Sequence, residues 1–117
     1  MLEQILGDLI TSVRGASAAI FVDGDGEAVV QAGAAEKDIK LLGAWKEIHL
    51  DSIKEITGRL GLGSVKAVLF SLDEGNELIV PVKPDYCLIL FMSPYTDIRL
   101  AMSELDKAID LVQKDIE

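Results

Sequence analysis

The sequence has few of the residues on which several classes of protein depend. Cys87 is the only cysteine, so the chain can form neither an intramolecular disulfide nor a cysteine-ligated zinc cluster, and a reducing compartment fits it. Arginine occurs only at positions 14, 59 and 99, and Lys+Arg total 11 against 20 Asp+Glu, which gives a formal net charge of -9. Such a chain lacks the positive surface that binds nucleic-acid phosphates or anionic membranes.

Long apolar runs are also missing. No stretch approaches the ~18 consecutive apolar residues that a transmembrane helix needs. The first residues, MLEQILGDLITSVRG, have no basic start, and Glu3 and Asp8 interrupt their apolar positions, so they do not resemble a secretory signal. We therefore expect a cytoplasmic protein with no membrane insertion and no nucleic-acid partner.

Apolar residues are nevertheless abundant, at 50% of the 117 residues. A chain of this length can bury about two-thirds of its unfolded surface in one core, so we expect a single domain over residues 1–117. The apolar fraction exceeds what so small a core requires. The acidic excess is spread over turns and helix faces, where we expect it to keep the chain soluble.

Hydrophobic periodicity predicts eight elements. Apolar residues at three- and four-residue spacing predict helices over residues 2–15, 34–60 and 98–116, and shorter runs predict strands over residues 18–22, 27–31, 65–72, 77–82 and 86–92. Pro81 restricts the fourth strand to an edge, a bulge or a strand end. The fifth strand, YCLILFM, is apolar on both faces and should be central. The order is helix, two strands, helix, three strands, helix.

Two glycine-rich stretches resemble ligand-binding loops but fit turns better. Residues 23–27 (DGDGE) begin like a calcium loop, yet Ala28 and Ala34 occupy the positions where an EF-hand requires glycine and glutamate. Residues 58–64 (GRLGLGS) have the glycine density of a phosphate loop, but they lead from a helix into a strand and have no lysine after the second glycine. The sequence predicts a hairpin turn at the first stretch and a helix end at the second.

No set of residues forms a recognisable catalytic site. His49 is the only histidine; no acid and nucleophile accompany it at a familiar spacing, and one histidine alone cannot hold a metal. Cys87 lies in an apolar strand, where a thiol is normally an inert part of the core. We predict a packed His49, no catalytic residue, no metal or cofactor, and no enzymatic activity. Interaction with other proteins is the function that remains.

Two features predict a homodimer. If Leu41, Trp45 and Ile48 of the second helix pack on the sheet, Leu50 is left near solvent on a flank of the helix, where a monomer gains nothing from it. The third strand is apolar on both faces and, apart from Lys66, has no charge or proline to protect an edge. If it is an edge strand, pairing with a symmetry mate would cover it. The predicted dimer interface comprises Ile39, Lys46, Leu50, Ile53, Thr57, Lys66, Val68 and Phe70.

Three stretches, together with the element order, carry a resemblance over the full length. They are residues 15–27 (GASAAIFVDGDGE), 56–61 (ITGRLG) and 85–91 (DYCLILF). In these features the chain resembles the Roadblock/dynein light chain family, and within it the bacterial branch of MglB-like regulators of small Ras-like GTPases. The resemblance implies an α+β sandwich, in which a five-stranded antiparallel sheet carries the second helix on one face and the two terminal helices on the other.

The resemblance also implies a function. Members of this family are non-enzymatic scaffolds that dimerise through the third strand and second helix, and some accelerate GTP hydrolysis by a small GTPase. A GTPase partner would then dock on the outward side of the second helix, at Gly43, Glu47, Leu50, Asp51 and Lys54. The leading hypothesis is accordingly a homodimeric scaffold or regulator of a small Ras-like GTPase.

Two alternatives from other classes stay open at this stage. One is a small-molecule sensory module, for which His49, Ser52 and Tyr86 are the polar residues available to line a pocket. The other is a light-chain-like adaptor that tethers a longer polypeptide. Ligand binding would favour the first alternative, and a nucleotide-independent protein partner would favour the second.

Overall fold

The structure is a computed structural model that describes residues 1–33 and 39–116; for residues 39–47 only the course of the backbone is described. The elements are α1 (Leu2–Ser12), β1 (Ala16–Val22), β2 (Ala28–Gly33), α2 (Ile39–Arg59), β3 (Val68–Leu72), β4 (Gly75–Val82), β5 (Tyr86–Met92) and α3 (Ile98–Ile116). Their order is the predicted one. The predicted start of the second helix at residue 34 lies outside the described residues. No helix in the described ranges is long and apolar enough to cross a membrane.

The five strands form one antiparallel sheet in the order β2-β1-β5-β4-β3. The α+β sandwich is therefore confirmed. β5 lies at the centre, as its continuous apolar sequence predicts, because a strand covered on both faces needs apolar side chains at every position. β3 is an edge strand, which is the condition on which the predicted pairing with a symmetry mate depends, and β2 forms the other edge.

The sheet separates two apolar layers. Ala19 and Phe21 of β1 contribute to the layer beneath α1 and α3, whereas Ile20 of the same strand contributes to the layer beneath α2. This alternation follows from the two-residue repeat of a strand. Cys87 is fully buried in the α2 layer, which confirms the predicted core thiol.

β3 begins three residues later than the sequence predicts. Its last described pair is Val68 with Ile79, so a longer β3 would place Lys66 opposite Pro81. Proline has no N–H to donate to a ladder, and strand pairing next to it is therefore lost. β4 is an internal strand, but at Pro81 it pairs with β5 and no longer with β3. Pro81 therefore lies at a local edge, which is one of the three positions that the sequence allows for it.

The two glycine-rich stretches are turns, as predicted. At the hairpin between β1 and β2, Oδ1 of Asp23 accepts hydrogen bonds from the backbone N–H of Asp25 (2.9 Å) and of Glu27 (3.0 Å). A side chain that bonds its own turn in this way stabilises the hairpin.

The end of α2 has a complete Schellman motif. Gly61 has φ +68°, its N–H donates to the Gly58 carbonyl at 3.2 Å, and the N–H of Leu62 donates to the Thr57 carbonyl at 2.9 Å. These two bonds satisfy carbonyls that the helix leaves without partners. The glycines at this stretch therefore terminate a helix.

The rotation of α2 about its axis differs from the prediction. Leu50 is 1% exposed and packs on the sheet, whereas Ile48 is 55% exposed. The prediction that Ile48 faces the sheet and Leu50 faces solvent is therefore wrong. Leu41 and Trp45, the other predicted contacts with the sheet, lie outside the residues whose side chains are described. The physical reason for the wrong orientation is that the apolar stripe of α2 is wider than the area over which the helix contacts the sheet. Most of the described residues of this stripe point away from the sheet.

Candidate interaction surface

Apolar side chains line the flank of α2 that faces β3. At 100° per residue, His49, Ile53, Ile56 and Leu60 fall within an arc of about 60° on one side of Leu50. The His49 ring lies 6.1 Å from the ring of Phe70, measured between centroids, which places this flank beside β3. We call the set of His49, Ile53, Ile56, Leu60, Phe70 and Leu72 the α2–β3 surface.

The α2–β3 surface is largely open to solvent. Ile56 is 56% exposed, Leu60 66% and Leu72 50%, while Ile53 and Phe70 are half-buried. The exposed apolar area continues into the loop after α2, where Leu62 is 70% exposed. Large apolar side chains that cluster on one surface mark a site of interaction rather than scattered exposure.

The edge of β3 borders this surface. Val68 and Phe70 lie on the α2 side of the sheet, and within the described part of the chain β3 pairs with β4 on one side only. Its sequence, VLFSL, contains no charge and no proline, the residues with which edge strands normally avoid pairing with other chains. The surface therefore combines an unprotected strand edge with an apolar helix flank.

The predicted interface residues divide into three groups. Ile53, Thr57, Val68 and Phe70 are half-buried on α2 and β3, and Lys66 is exposed just before β3. Leu50 is in the core, so the prediction that it contributes to an interface is wrong. The side chains of Ile39 and Lys46 lie outside the described residues.

The predicted GTPase platform is only partly described. Asp51 and Lys54 are exposed and lie on the flank of α2 opposite the α2–β3 surface, by the same helical angles. Leu50 is again excluded, because it is buried against the sheet. The side chains at positions 43 and 47, predicted as Gly43 and Glu47, fall outside the described set.

Sequence reasoning missed Ile56, Leu60, Leu62 and Leu72 as surface residues. Ile56 and Leu60 carried a signal, because both belong to the apolar stripe of α2, but the stripe was assigned to the sheet. His49 was predicted to be packed, yet it is exposed and contacts Phe70 at the edge of the surface. The sequence pattern located the apolar stripe and did not indicate what covers it.

The residues named for a ligand pocket do not come together. Tyr86 stacks on Phe21, with ring centroids 4.9 Å apart, in the α1 and α3 layer, whereas His49 and Ser52 are exposed on α2, which covers the opposite face. Among the described residues, no group of three or more His, Cys, Asp or Glu side chains could hold a metal ion.

Surface depressions among the described residues lie elsewhere. One, of about 170 Å³, adjoins the β1–β2 turn and is lined by residues 23–25 and 84–86. The other, of about 250 Å³, lies between Glu3 and residues 28–31 of β2. Neither adjoins the α2–β3 surface.

Solved structures of Roadblock proteins superpose closely on this chain. The Roadblock/LC7 domain from Streptomyces avermitilis has a TM-score of 0.90 at 16% identity, covering 97% of this chain and 96% of that one. MglB from Myxococcus xanthus has a TM-score of 0.90 at 15% identity, covering 98% and 94%. A structure described as MglB with a tetrameric arrangement has a TM-score of 0.86 at 11% identity, covering 97% and 86%.

These likenesses concern structure. No protein-family model matches the chain, and no curated protein matches it by sequence. The identities to the solved structures are low, so the superpositions show the fold: the chain has the Roadblock fold, as the three sequence stretches predict.

Proposed function

We propose that this Roadblock-fold chain acts in the cytoplasm as a homodimeric, non-enzymatic scaffold or regulator of a small Ras-like GTPase. The observation that carries the proposal is the α2–β3 surface, where an apolar helix flank and an unprotected strand edge lie side by side. The close likeness to MglB structures, one of them tetrameric, supports self-association and a GTPase-related partner.

A second copy of the chain matches the chemistry of this surface. Pairing of two β3 strands about a two-fold axis would continue the sheet from one protomer into the next and use the open edge of each. The same axis would bring the two α2 flanks together, so that Ile56 and Leu60 leave water. An exposed apolar flank of this kind lowers the solubility of a monomer, whereas its burial in a dimer stabilises the assembly.

The GTPase would use a different part of α2. Asp51 and Lys54 lie on the flank opposite the α2–β3 surface and remain accessible when that surface is covered. The exposed negative and positive side chains on this flank can pair with charges on a partner. Charges at the rim of an interface affect the association rate and the register in which two proteins dock. The regulator would contribute binding, and the GTPase would supply the residues that hydrolyse GTP.

Activation through an arginine in trans is a narrower form of the proposal. Arg59 forms an ion pair with Glu55 at 2.7 Å. It is therefore a less suitable arginine to insert into a GTPase site, because the ion pair would first have to open. Arg14 and Arg99 are both exposed. If activation uses such a residue, Arg14→Ala or Arg99→Ala will remove the stimulation of GTP hydrolysis while binding to the GTPase persists.

The test is a titration of the full chain against the small GTPases of the same genome, each loaded with GDP or with a non-hydrolysable GTP analogue. We expect one GTPase to bind with different affinities in its two nucleotide states. Lys54→Glu should weaken this binding, whereas Lys107→Glu, a matched change on α3, should not. No nucleotide-dependent binding by any GTPase would contradict the proposal, and a nucleotide-independent protein partner would favour the adaptor function instead.

A further inference from the structure

The sheet has a second open edge, at β2. Among the described residues, this strand pairs with β1 alone, and its sequence, AVVQAG, has neither a charged residue nor a proline. Val29 is the extra residue of a bulge, because Phe21 and Val22 of β1 pair with Val30 and Ala28, and it is 47% exposed. Backbone groups on this open side can therefore pair with another extended segment.

A groove runs along this edge. The depression of about 250 Å³ described above lies between the start of α1 and β2, and its lining consists of Glu3 and residues 28–31. Glu3 is the only charged residue of the lining, and Gln31 adds a polar amide. A groove of this volume has room for a long side chain from a strand placed beside β2, with its charged end near the Glu3 carboxylate.

Charge decides which kind of segment fits. A second copy of this chain would bring another Glu3 and another bulge to the same edge. Like charges facing one another oppose such pairing, and two bulges disrupt a ladder more than the single bulge of β2 does. A basic segment of a different protein brings neither a second glutamate nor a second bulge to this edge, and it gains the attraction of Glu3.

We propose that the β2 edge and its groove bind an extended, basic segment of a partner protein, which adds to the sheet as a sixth strand and places a lysine or arginine side chain beside Glu3. Backbone hydrogen bonds to β2 would supply the affinity, and the groove would select the basic side chain. β2 and β3 lie at opposite ends of the sheet, so the site is independent of the proposed dimer and stays open at both ends of it.

The test is an NMR titration of the full chain with two synthetic peptides. The lysine peptide is acetyl-TVKVTVKV-amide, and the glutamate peptide carries Glu in place of each Lys. We expect the lysine peptide to shift the backbone amides of Glu3 and residues 28–33 and the glutamate peptide to leave them unchanged. Val29→Lys should remove measurable binding of the lysine peptide, and Glu3→Gln should weaken it about threefold.

Matched variants on α3 control for charge and folding. Leu111→Lys repeats the change of Val29 at a residue that is 52% exposed, and Asp106→Asn repeats the loss of one acid; both should bind the lysine peptide like the parent chain. Equal binding of the two peptides, shifts located outside Glu3 and β2, or unchanged binding by Glu3→Gln would overturn the proposal. Shifts of β2 amides that depend on protein concentration without peptide would also overturn it, because a second copy would then occupy the edge.

Discussion

Leu50 and Ile48 are two residues apart on α2 and face opposite ways: Leu50 is 1% exposed and Ile48 is 55% exposed. Two residues of a helix are separated by about 200° around its axis, so only one of them can reach the sheet. The helix contacts its own sheet through Leu50 and turns Ile48, Ile56 and Leu60 away from it. This orientation is what leaves an apolar surface for a partner.

The stability of the chain should depend on Leu50 and not on exposed leucines elsewhere. Leu50→Ala removes a fully buried side chain from the α2 layer, and we expect it to lower the free energy of unfolding by about 3 kcal/mol. Leu111→Ala on α3 should change it by less than about 0.5 kcal/mol, because Leu111 is largely exposed. Urea denaturation of both variants checks this. Equal losses in the two variants would mean that Leu50 does not pack on the sheet.

Gly33 and Gly63 allow the cost of a positive φ to be measured separately from the cost of a steric clash with an added Cβ. Both have positive φ, +82° and +90°, but an added Cβ at Gly33 would meet the backbone carbonyl oxygen of Ser17, while nothing lies within 4 Å of one at Gly63. Gly63→Ala should cost about 1 kcal/mol of unfolding free energy from backbone strain alone. Gly33→Ala should cost about 3 kcal/mol, since the β2 backbone must also shift.

Thermal unfolding of the two glycine variants provides the measurement. The lower melting temperature should belong to Gly33→Ala. If the melting temperature of Gly63→Ala is equal to or lower than that of Gly33→Ala, the close approach between Gly33 and β1 is not what makes Gly33→Ala destabilising.

Asp23 should stabilise the first hairpin through its side chain. Asp23→Ala removes the acceptor of the two N–H bonds from Asp25 and Glu27, with an expected loss of about 1 kcal/mol in unfolding free energy. Asp25→Ala is the control, because Asp25 contributes its N–H to this turn and its exposed side chain is dispensable. Denaturant unfolding of both variants gives the comparison, and an equal effect of the two substitutions would contradict this role for Asp23.

Local patterns in the sequence were sufficient to predict the order of elements. The unbroken apolar run of β5 indicated its central position, and the glycines after α2 indicated a helix end. Pro81 restricts its strand to an edge, a bulge or a strand end, but the sequence does not indicate its effect on β3. To predict that effect, one must know which residue of β3 lies opposite Pro81. This register depends on how the two strands pair in space, and the local sequence pattern does not reveal it.

The rotation of α2 could not be read from the sequence. An apolar stripe shows which side of a helix avoids water, but the sheet of the same chain and the surface of another chain satisfy it equally well. The prediction places Ile48 on the sheet and Leu50 near solvent, whereas the structure exposes Ile48 and buries Leu50. The α2 residues that we propose for association are therefore displaced around the helix from the predicted ones, while β3 belongs to both the predicted and the proposed surface.

Sedimentation velocity at micromolar concentration, applied to the full chain and to two variants, tests the central claim most directly. Ile56→Asp places a charge in the α2–β3 surface, and Leu111→Asp places one at a similarly exposed leucine on α3. We predict a dimer for the parent chain and for Leu111→Asp, and a folded monomer for Ile56→Asp. A monomeric parent chain, or a dimer that Ile56→Asp leaves intact, would contradict association through the α2–β3 surface.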